Sequence, residues 1–84
     1  MKAYEVLERY GWRQGEFGET KKGFCLLGAL RFAYPRRTLR LLFWKRILAR
    51  IGRRGSVLAS ATSWNDTRGR TKTQVIRLLR ELNL

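Results

Sequence analysis

Arginine side chains are the residues of this chain whose number and spacing point most directly to chemistry. Arginine outnumbers lysine, and its planar guanidinium suits bidentate hydrogen bonds to phosphate oxygens or to guanine. Most of these side chains fall in two clusters, one on or beside a predicted helix and one around the start of a later helix. The first comprises Arg36, Arg37, Arg40, Lys45, Arg46, Arg50, Arg53 and Arg54, and the second Arg68, Arg70 and Lys72. Such clusters predict a surface that contacts the phosphates of a polyanion.

The charge is distributed unevenly along the chain. Nineteen Lys and Arg against six Asp and Glu give a formal net charge of +13. Residues 1–19 carry four of the six acids, whereas Asp66 is the only acid between residues 20 and 80. A solvated helix face normally mixes both signs, so a long segment with a single acid favours a polyanionic partner over simple solvation.

Catalysis has few candidate residues. The chain has no histidine, which removes Ser/His/Asp and Cys/His arrangements and the commonest metal ligand. Its one cysteine, Cys25, is better explained as a small buried apolar side chain than as a nucleophile activated by an arginine. Glu16 and Glu19 could form a carboxylate pair, but on a glycine-rich loop we expect them to be solvated. The sequence therefore predicts no enzyme, no metal site and no cofactor.

The cysteine count and the hydropathy pattern bear on location. Cys25 cannot form an intramolecular disulfide, and no basic segment precedes an apolar stretch at the N-terminus, so we expect a reducing, cytoplasmic setting. Charged residues interrupt every apolar stretch before it reaches the roughly 18 residues that span a bilayer, so no transmembrane segment is expected. The oligomeric state stays open.

Hydrophobic spacing predicts the elements that must position the arginines. With 84 residues, 44% of them hydrophobic, we expect one basic domain over residues 1–84 with a single core. The expected fold class is mainly α, a compact domain of about four helices. A glycine-rich loop or small hairpin is expected at residues 12–23.

Four segments carry the helical patterns. The apolar spacing from Ala3 to Tyr10 predicts a first helix that ends at Gly11. An apolar helix over residues 23–34 follows, and Pro35 ends it. Residues 38–51 show the strongest periodicity, with a core face of Leu41, Phe43, Trp44, Ile47, Leu48 and Ile51. Thr71 and Gln74 have capping-box spacing before a last helix over 72–82.

The segment between these helices is less regular. Residues 55–70 predict a short helix or turn followed by a polar loop from Asn65 to Arg70. Trp12 and Trp64 flank loops, so packing is the main expectation for both rings and stacking on nucleic-acid bases the alternative.

Several motifs resemble a family of small uncharacterised bacterial and phage proteins. They are Gly11-Trp12, Cys25-Leu26-Leu27-Gly28-Ala29-Leu30, Trp64-Asn65-Asp66, and Gly69-Arg70-Thr71 leading into Val75-Ile76. Such proteins combine a leading helix ending in Gly-Trp, a Cys-Leu-x-Gly-Ala helix, and a Trp-Asn-Asp loop before a C-terminal helix. The resemblance therefore spans nearly the whole chain.

The resemblance implies a structural role for the Trp64-Asn65-Asp66 loop. It implies shared architecture in which the Asn and Asp side chains hydrogen-bond the backbone of the loop that opens the last helix, with a shared binding site as the alternative. It implies no particular activity. This chain differs from the family pattern in having Arg68 where proline is usual and in the arginine content of residues 36–54.

Three functions fit these observations. The favoured one is non-enzymatic binding of DNA or RNA through the phosphate backbone with weak sequence preference, in an accessory or regulatory role. The first alternative is a phage-type inhibitor or adaptor that docks its cationic face on an acidic surface of a larger protein or nucleoprotein complex. The second is attachment of the 38–51 helix to an anionic membrane surface, ranked lower because the core needs that helix's apolar face.

Overall fold

The first helix, α1 (Ala3–Tyr10), buries one apolar face against the rest of the molecule. The structure is a computed structural model that describes residues 1–84. Val6 and Leu7 are fully buried. Gly11 ends the helix in a left-handed conformation, φ +97°, and its N–H donates to the carbonyl of Leu7 at 2.9 Å. The predicted first helix and its glycine stop are therefore confirmed.

A small hairpin follows in the glycine-rich segment. Strands β1 (Gly18–Glu19) and β2 (Gly23–Phe24) pair antiparallel, with Gly18 opposite Phe24. A Cβ at Gly18 would lie 1.9 Å from the carbonyl oxygen of Gly23, so only glycine fits this register. The small hairpin expected within residues 12–23 is confirmed, and its second strand extends to Phe24.

Helix α2 (Leu26–Ala33) lies at the centre of the core. All residues from Leu26 to Leu30 are buried, and the helix packs against α1 and α4. It begins later than the predicted residue 23 because Gly23 and Phe24 pair in the hairpin. Cys25 then caps the helix, and its sulfur accepts a hydrogen bond from the Gly28 N–H at 3.3 Å.

The longest helix is α3 (Arg37–Ile51), and it buries a narrower strip than the sequence predicts. Trp44 and Ile47 point into the core, and α4 is the main neighbouring element. The expectation that Leu41 belongs to the core face is wrong, since 47% of this residue is exposed. At about 100° per residue, Leu41 lies on the side of Trp44 that faces away from Ile47, where no element covers it. Leu39 and Leu42 are exposed as well.

Two further helices complete the fold. Helix α4 (Val57–Asn65) is capped by Ser56, whose hydroxyl accepts from the Ala59 N–H at 3.1 Å. Helix α5 (Lys72–Glu81) has the predicted capping box: the hydroxyl of Thr71 accepts from the Gln74 N–H at 3.2 Å, and the Gln74 side chain accepts from the Thr71 N–H at 3.1 Å. The mainly helical class is confirmed, with five helices rather than about four, because α4 forms where a short helix or turn was expected.

The core lies between α1, α2 and α5, with Trp44 and Ile47 of α3 and Ala61 of α4 completing it. α1 packs against both α2 and α5, and α4 joins α2 to α3. The chain ends meet as well, because the Ala3 N–H and the Tyr34 hydroxyl both donate to the carbonyl oxygen of Leu84, at 2.6 and 2.5 Å. This arrangement brings the end of α3 alongside the α4–α5 connection.

Candidate polyanion-binding surface

The two arginine clusters meet at a cleft beside the end of α3. The cleft has a volume of about 310 Å³ and is lined by Ile51, Gly52, Arg54, Ser60, Ser63, Trp64, Thr67 and Arg70. Arg54 comes from the first predicted cluster and Arg70 from the second. The fold thus brings together two cationic side chains and several hydroxyl groups that are far apart in sequence.

A smaller cleft of about 210 Å³ shares Ile51 and Trp64 with the first and extends along α5. Its lining residues are Arg50, Ile51, Trp64, Gln74, Arg77, Leu78 and Glu81. We call the two clefts together the basic groove. Arg50 pairs with Glu81, whereas the side chain of Arg77 has no hydrogen-bond or ion-pair partner within the protein.

Arg70 is held in place by Trp64. Its Nε donates to the carbonyl oxygen of Trp64 at 2.9 Å, and its guanidinium carbon lies 4.0 Å from the centroid of the indole ring. A cation over an aromatic face at this distance is attracted by the ring quadrupole. The terminal nitrogens of Arg70 have no hydrogen-bond partner within the protein, so they remain available to an anion.

A tight turn positions Arg54. Gly52 ends α3 with φ +85°, and its N–H donates to the carbonyl of Leu48 at 2.9 Å. The backbone N–H of Arg54 then donates to the hydroxyl of Ser60 at 2.8 Å. Ser60 is buried, and its hydroxyl lies 2.9 Å from the carbonyl oxygen of Ser56. The turn backbone is therefore fixed from within α4, and the Arg54 side chain is left without a partner in the protein.

Several of the other predicted site residues make contacts within the protein. Arg40 donates to the carbonyl of Tyr34 at 3.0 Å, and Arg53 donates to that of Gly55 at 2.9 Å. Arg46 donates to the carbonyl of Leu82, and Arg50 pairs with Glu81. These contacts tie α3 to neighbouring turns and to the end of α5, so part of the first cluster has a structural role that the sequence pattern did not indicate.

The remaining predicted cations have free side chains but do not all lie at the basic groove. Those without a side-chain partner are Arg36, Arg37, Lys45, Arg54, Arg68 and Lys72. Arg36 and Arg37 are at the opposite end of α3, where Arg37 is about 20 Å from Ile51 by helical rise. Arg68 and Lys72 flank Arg70 in sequence. Only Arg50, Arg54 and Arg70 of the predicted set line the groove.

Arg77, Ser63 and Thr67 line the groove and were not predicted. Arg77 shares α5 with Lys72 and Arg80 but lies outside both predicted clusters, so it was not singled out. The hydroxyl residues carry no charge, and only the packing of α4 against α3 places them beside Arg54. The exposed basic residues of the last helix were the one signal available in the sequence.

Carboxylates neutralise little of the positive charge. Only three ion pairs form, Arg13–Glu16 at 3.5 Å, Arg80–Glu8 at 2.7 Å and Arg50–Glu81. The other sixteen of the nineteen basic side chains have no acidic partner. A surface with this excess attracts polyanions over a distance of roughly a Debye length.

The exposed leucines of α3 border a separate apolar cleft of about 340 Å³. It is lined by Thr38, Leu41, Leu42, Trp44, Lys45, Leu48, Arg53 and Val57. We call it the α3 cleft. Lys45 and Arg53 stand at its edge, so two predicted site residues border an apolar surface rather than the basic groove.

Asn65 connects the Trp-Asn-Asp segment to the hairpin and to α2. Only 1% of its surface is exposed. Its Oδ1 accepts from Trp12 Nε1 at 2.7 Å and from the Leu26 N–H at 2.9 Å, and its Nδ2 donates to the Arg13 carbonyl at 3.1 Å. Asp66 Oδ1 accepts from Asn65 Nδ2 at 2.9 Å and from the Gly15 N–H at 3.1 Å. The two side chains thus hydrogen-bond the backbone of Arg13, Gly15 and Leu26, and not the backbone of the loop that opens α5, which the resemblance implies.

Cys25 has the surroundings of a structural residue. It is 8% exposed, and burial raises the pKa of its thiol, so the thiol is protonated at neutral pH. No group of three His, Cys, Asp or Glu side chains is arranged to hold a metal ion.

Five helices, a short hairpin and an arginine-lined groove define a small, basic, mainly helical protein. Residues 1–82 match the model of a protein family described as "Family of unknown function (DUF6197)", and the chain belongs to that family. No curated protein and no solved structure matches the chain. None of the helices combines the length and the apolar character needed to cross a bilayer.

Proposed function

We propose that the protein binds nucleic acid through its phosphate backbone and that the basic groove is the contact surface. The observation that carries this proposal is the convergence of Arg54 and Arg70 in one cleft. Their free guanidinium nitrogens share the cleft with Ser63 and Thr67, and of these two hydroxyls only that of Thr67 donates within the protein, to the Ser63 carbonyl at 2.8 Å. Arginine and hydroxyl donors are the groups that most often contact phosphate in protein–nucleic acid complexes.

The same groups predict weak sequence preference. Phosphates are identical along any strand, so donors directed at them fix position without distinguishing bases. Trp64 carries Arg70 over its ring, which leaves less of the indole for stacking on a base. We propose an accessory or regulatory role on DNA or RNA, which binding of this kind would suit.

The first test is a titration of duplex DNA, single-stranded DNA and structured RNA at several salt concentrations. Counterion release predicts that log K falls linearly with log salt, by about 0.9 per phosphate neutralised on duplex DNA. Affinity no better than about millimolar at roughly 50 mM salt for all three would contradict the proposal.

A pair of matched variants tests the location. Arg54→Gln/Arg77→Gln removes two groove charges, and Lys21→Gln/Lys22→Gln removes two charges from the hairpin turn. None of the four side chains has a partner within the protein, so neither variant disturbs an internal contact. We expect the salt slope on duplex DNA to fall by about 1.8 in the groove variant. Equal loss in the hairpin variant would show that the groove is not the site.

The α3 cleft favours a second candidate function, docking on an acidic protein surface. Leu41 and Leu42 are about half exposed beside Lys45 and Arg53. A phosphate backbone has no apolar surface for the leucine side chains to pack against. An acidic protein segment with apolar residues would pack against the leucines and pair with the cations.

A Leu41→Ser/Leu42→Ser variant separates this candidate from the first. If the cleft binds a protein, affinity purification from the host recovers an acidic partner with the wild type and loses it with the variant, while the salt slope on DNA is unchanged. If the wild type floats with anionic vesicles and the variant does not, the α3 cleft attaches to membranes instead. Recovery of the same partner by both proteins would contradict docking at this cleft.

A further inference from the structure

A cleft of about 380 Å³ lies between the glycine-rich loop, α2 and α4. Its lining residues are Gly15, Glu16, Phe17, Cys25, Leu27, Leu58, Ala61, Thr62, Asn65 and Asp66. We call it the loop cleft. Its volume falls within the roughly 300–1,000 Å³ of small-molecule sites, which are typically apolar with a few fixed polar groups. Leu27, Leu58 and Phe17 supply the apolar walls.

The charged side chains that line the loop cleft are acidic, although the molecule as a whole is strongly basic. No lysine or arginine lines it, although both clefts of the basic groove and the α3 cleft contain basic residues. Two of the six acids of the chain, Glu16 and Asp66, line it instead. Two cations stand next to this lining, since Arg13 pairs with Glu16 and the guanidinium carbon of Arg31 lies 4.9 Å from the centroid of the Phe17 ring. Asp66 is therefore the carboxylate that favours a cation here.

Asp66 is the carboxylate best placed to meet a ligand. Both of its hydrogen bonds, from Gly15 and from Asn65, use Oδ1, so Oδ2 has no partner within the protein. No basic side chain pairs with Asp66, whereas Glu16 already pairs with Arg13 and its side chain is 65% exposed. Asp66 is also partly buried, which strengthens its attraction for a cation relative to a carboxylate in open water.

The walls of the loop cleft are fixed before any ligand arrives. The buried amide of Asn65 holds the Trp12 indole, the Arg13 backbone and the start of α2 together. The Cys25 N–H donates to the carbonyl of Phe17 at 3.2 Å. Gly28 permits this approach, because a Cβ there would lie 1.9 Å from the Phe17 carbonyl oxygen. A site organised in this way loses little entropy on binding.

Two large apolar side chains at the cleft remain exposed. Phe17 is 46% exposed and Leu58 is 53% exposed. Apolar groups grouped around a concave site are characteristic of ligand-binding grooves. Neither residue is needed to complete the core, which the buried residues of α2 and α4 already fill on this side.

We propose that the loop cleft binds a small organic cation with an apolar body, such as an alkylamine. Its ammonium group hydrogen-bonds the free Oδ2 of Asp66, and its apolar part packs against Phe17, Leu27 and Leu58. The site is separate from the basic groove and takes a ligand of the opposite charge. Failure of either proposal therefore leaves the other standing.

The test compares three probes of equal length: hexylamine, hexanol and hexanoate. Each is titrated into the full chain at neutral pH, where an alkylamine is protonated, and backbone amide shifts are followed by ¹H–¹⁵N NMR. We expect hexylamine to move the amides of Gly15, Ala61, Thr62 and Asp66. It should bind about tenfold more tightly than hexanol, with hexanoate weaker still.

Variants identify the groups responsible. Asp66→Asn retains the Oδ1 acceptor, so the loop keeps its hydrogen bonds while the charge is lost, and the preference for hexylamine over hexanol should disappear. Glu19→Gln removes the same charge from the hairpin, outside the cleft. It should leave the preference for hexylamine over hexanol unchanged. Leu58→Ala, at an exposed position, should weaken hexylamine and hexanol alike.

Three outcomes would overturn the proposal. The first is equal affinity for hexylamine and hexanoate, and the second is the absence of shifts at the lining amides up to the solubility of hexylamine. The third is an equal loss of preference in Glu19→Gln and Asp66→Asn, which would assign the effect to overall charge.

Discussion

Asn65 is the residue on which the geometry of the hairpin, α2 and α4 most depends. Replacing it with alanine leaves the Trp12 Nε1–H and the Leu26 N–H without an acceptor inside the protein. A buried unsatisfied donor costs about 1–3 kcal/mol, so we expect Asn65→Ala to destabilise the fold by roughly 3 kcal/mol. Urea denaturation measures this loss.

The matched control for this prediction is Ser63→Ala on the same helix. Ser63 is exposed, so its replacement should change the free energy of unfolding by about 0.5 kcal/mol at most. If Asn65→Ala were as mild as Ser63→Ala, the buried amide would not be the organising contact.

Cys25 makes a pH-dependent contribution to stability. Burial raises the pKa of its thiol in the folded state, so the unfolded state loses the proton first as the pH rises. The stabilising contribution of the protonated thiol is therefore fully present below the ordinary thiol pKa. It is lost as the pH rises toward the thiol pKa of the folded state. Burial raises the pKa of Tyr34 in the same sense.

A comparison with Cys25→Ala isolates the thiol from other alkaline titrations. The wild type should be more stable than the variant near pH 7, and the difference in free energy of unfolding should narrow near pH 10. Urea denaturation at the two pH values provides the measurement. A difference that stays constant or widens would contradict the assignment of a raised thiol pKa.

At the scale of elements, the contact between α2 and the residue before the hairpin leaves no room for a side chain at Gly28. Alanine at position 28 is favoured over glycine by helix propensity, by about 1 kcal/mol. Its Cβ would nevertheless overlap the Phe17 carbonyl. We expect Gly28→Ala to destabilise the protein by about 1–3 kcal/mol in thermal or urea unfolding, because the loop must shift. Net stabilisation would show that the contact is looser than the structure indicates.

The sequence correctly predicted those helix ends that depend on interactions between residues close together in the chain. Gly11 ends α1, and Thr71 with Gln74 caps α5, because each of these interactions joins residues a few positions apart. The extent of α4 was missed since its apolar residues show no clear single face, and its Ser56 cap was not recognised. Leu41 was misplaced because periodicity identifies an apolar arc but not which part of it a neighbour covers.

At the scale of the whole molecule, the charge excess was evident from sequence while the groove was not. Arg54 and Arg70 belong to different clusters, and only the packing of α3 beside the α4–α5 connection brings them together. The same packing ties Arg46 and Arg50 to the end of α5. Sequence therefore predicted the kind of partner we propose but not which arginines are free to meet it.

None of the predicted site residues lines the loop cleft, although the family resemblance left a binding site at Trp64-Asn65-Asp66 as an alternative. Its two acids were expected to be solvated or to belong to a turn, and its apolar lining comes from three separate elements. Only the Trp64-Asn65-Asp66 motif pointed to this region. The position of the Asp66 carboxylate beside apolar side chains becomes evident only in the folded structure.

The most direct test of polyanion binding at the basic groove is an amide shift map. Duplex DNA is titrated into ¹⁵N-labelled protein, and ¹H–¹⁵N spectra locate the contact surface. We predict that the largest shifts fall at Gly52, Arg54, Ser63, Thr67 and Arg77, with little change at Lys21 and Lys22. Polyanion binding at the basic groove would be contradicted if the largest shifts fell at the hairpin or around Leu41 and Leu42, or if no amide shifted.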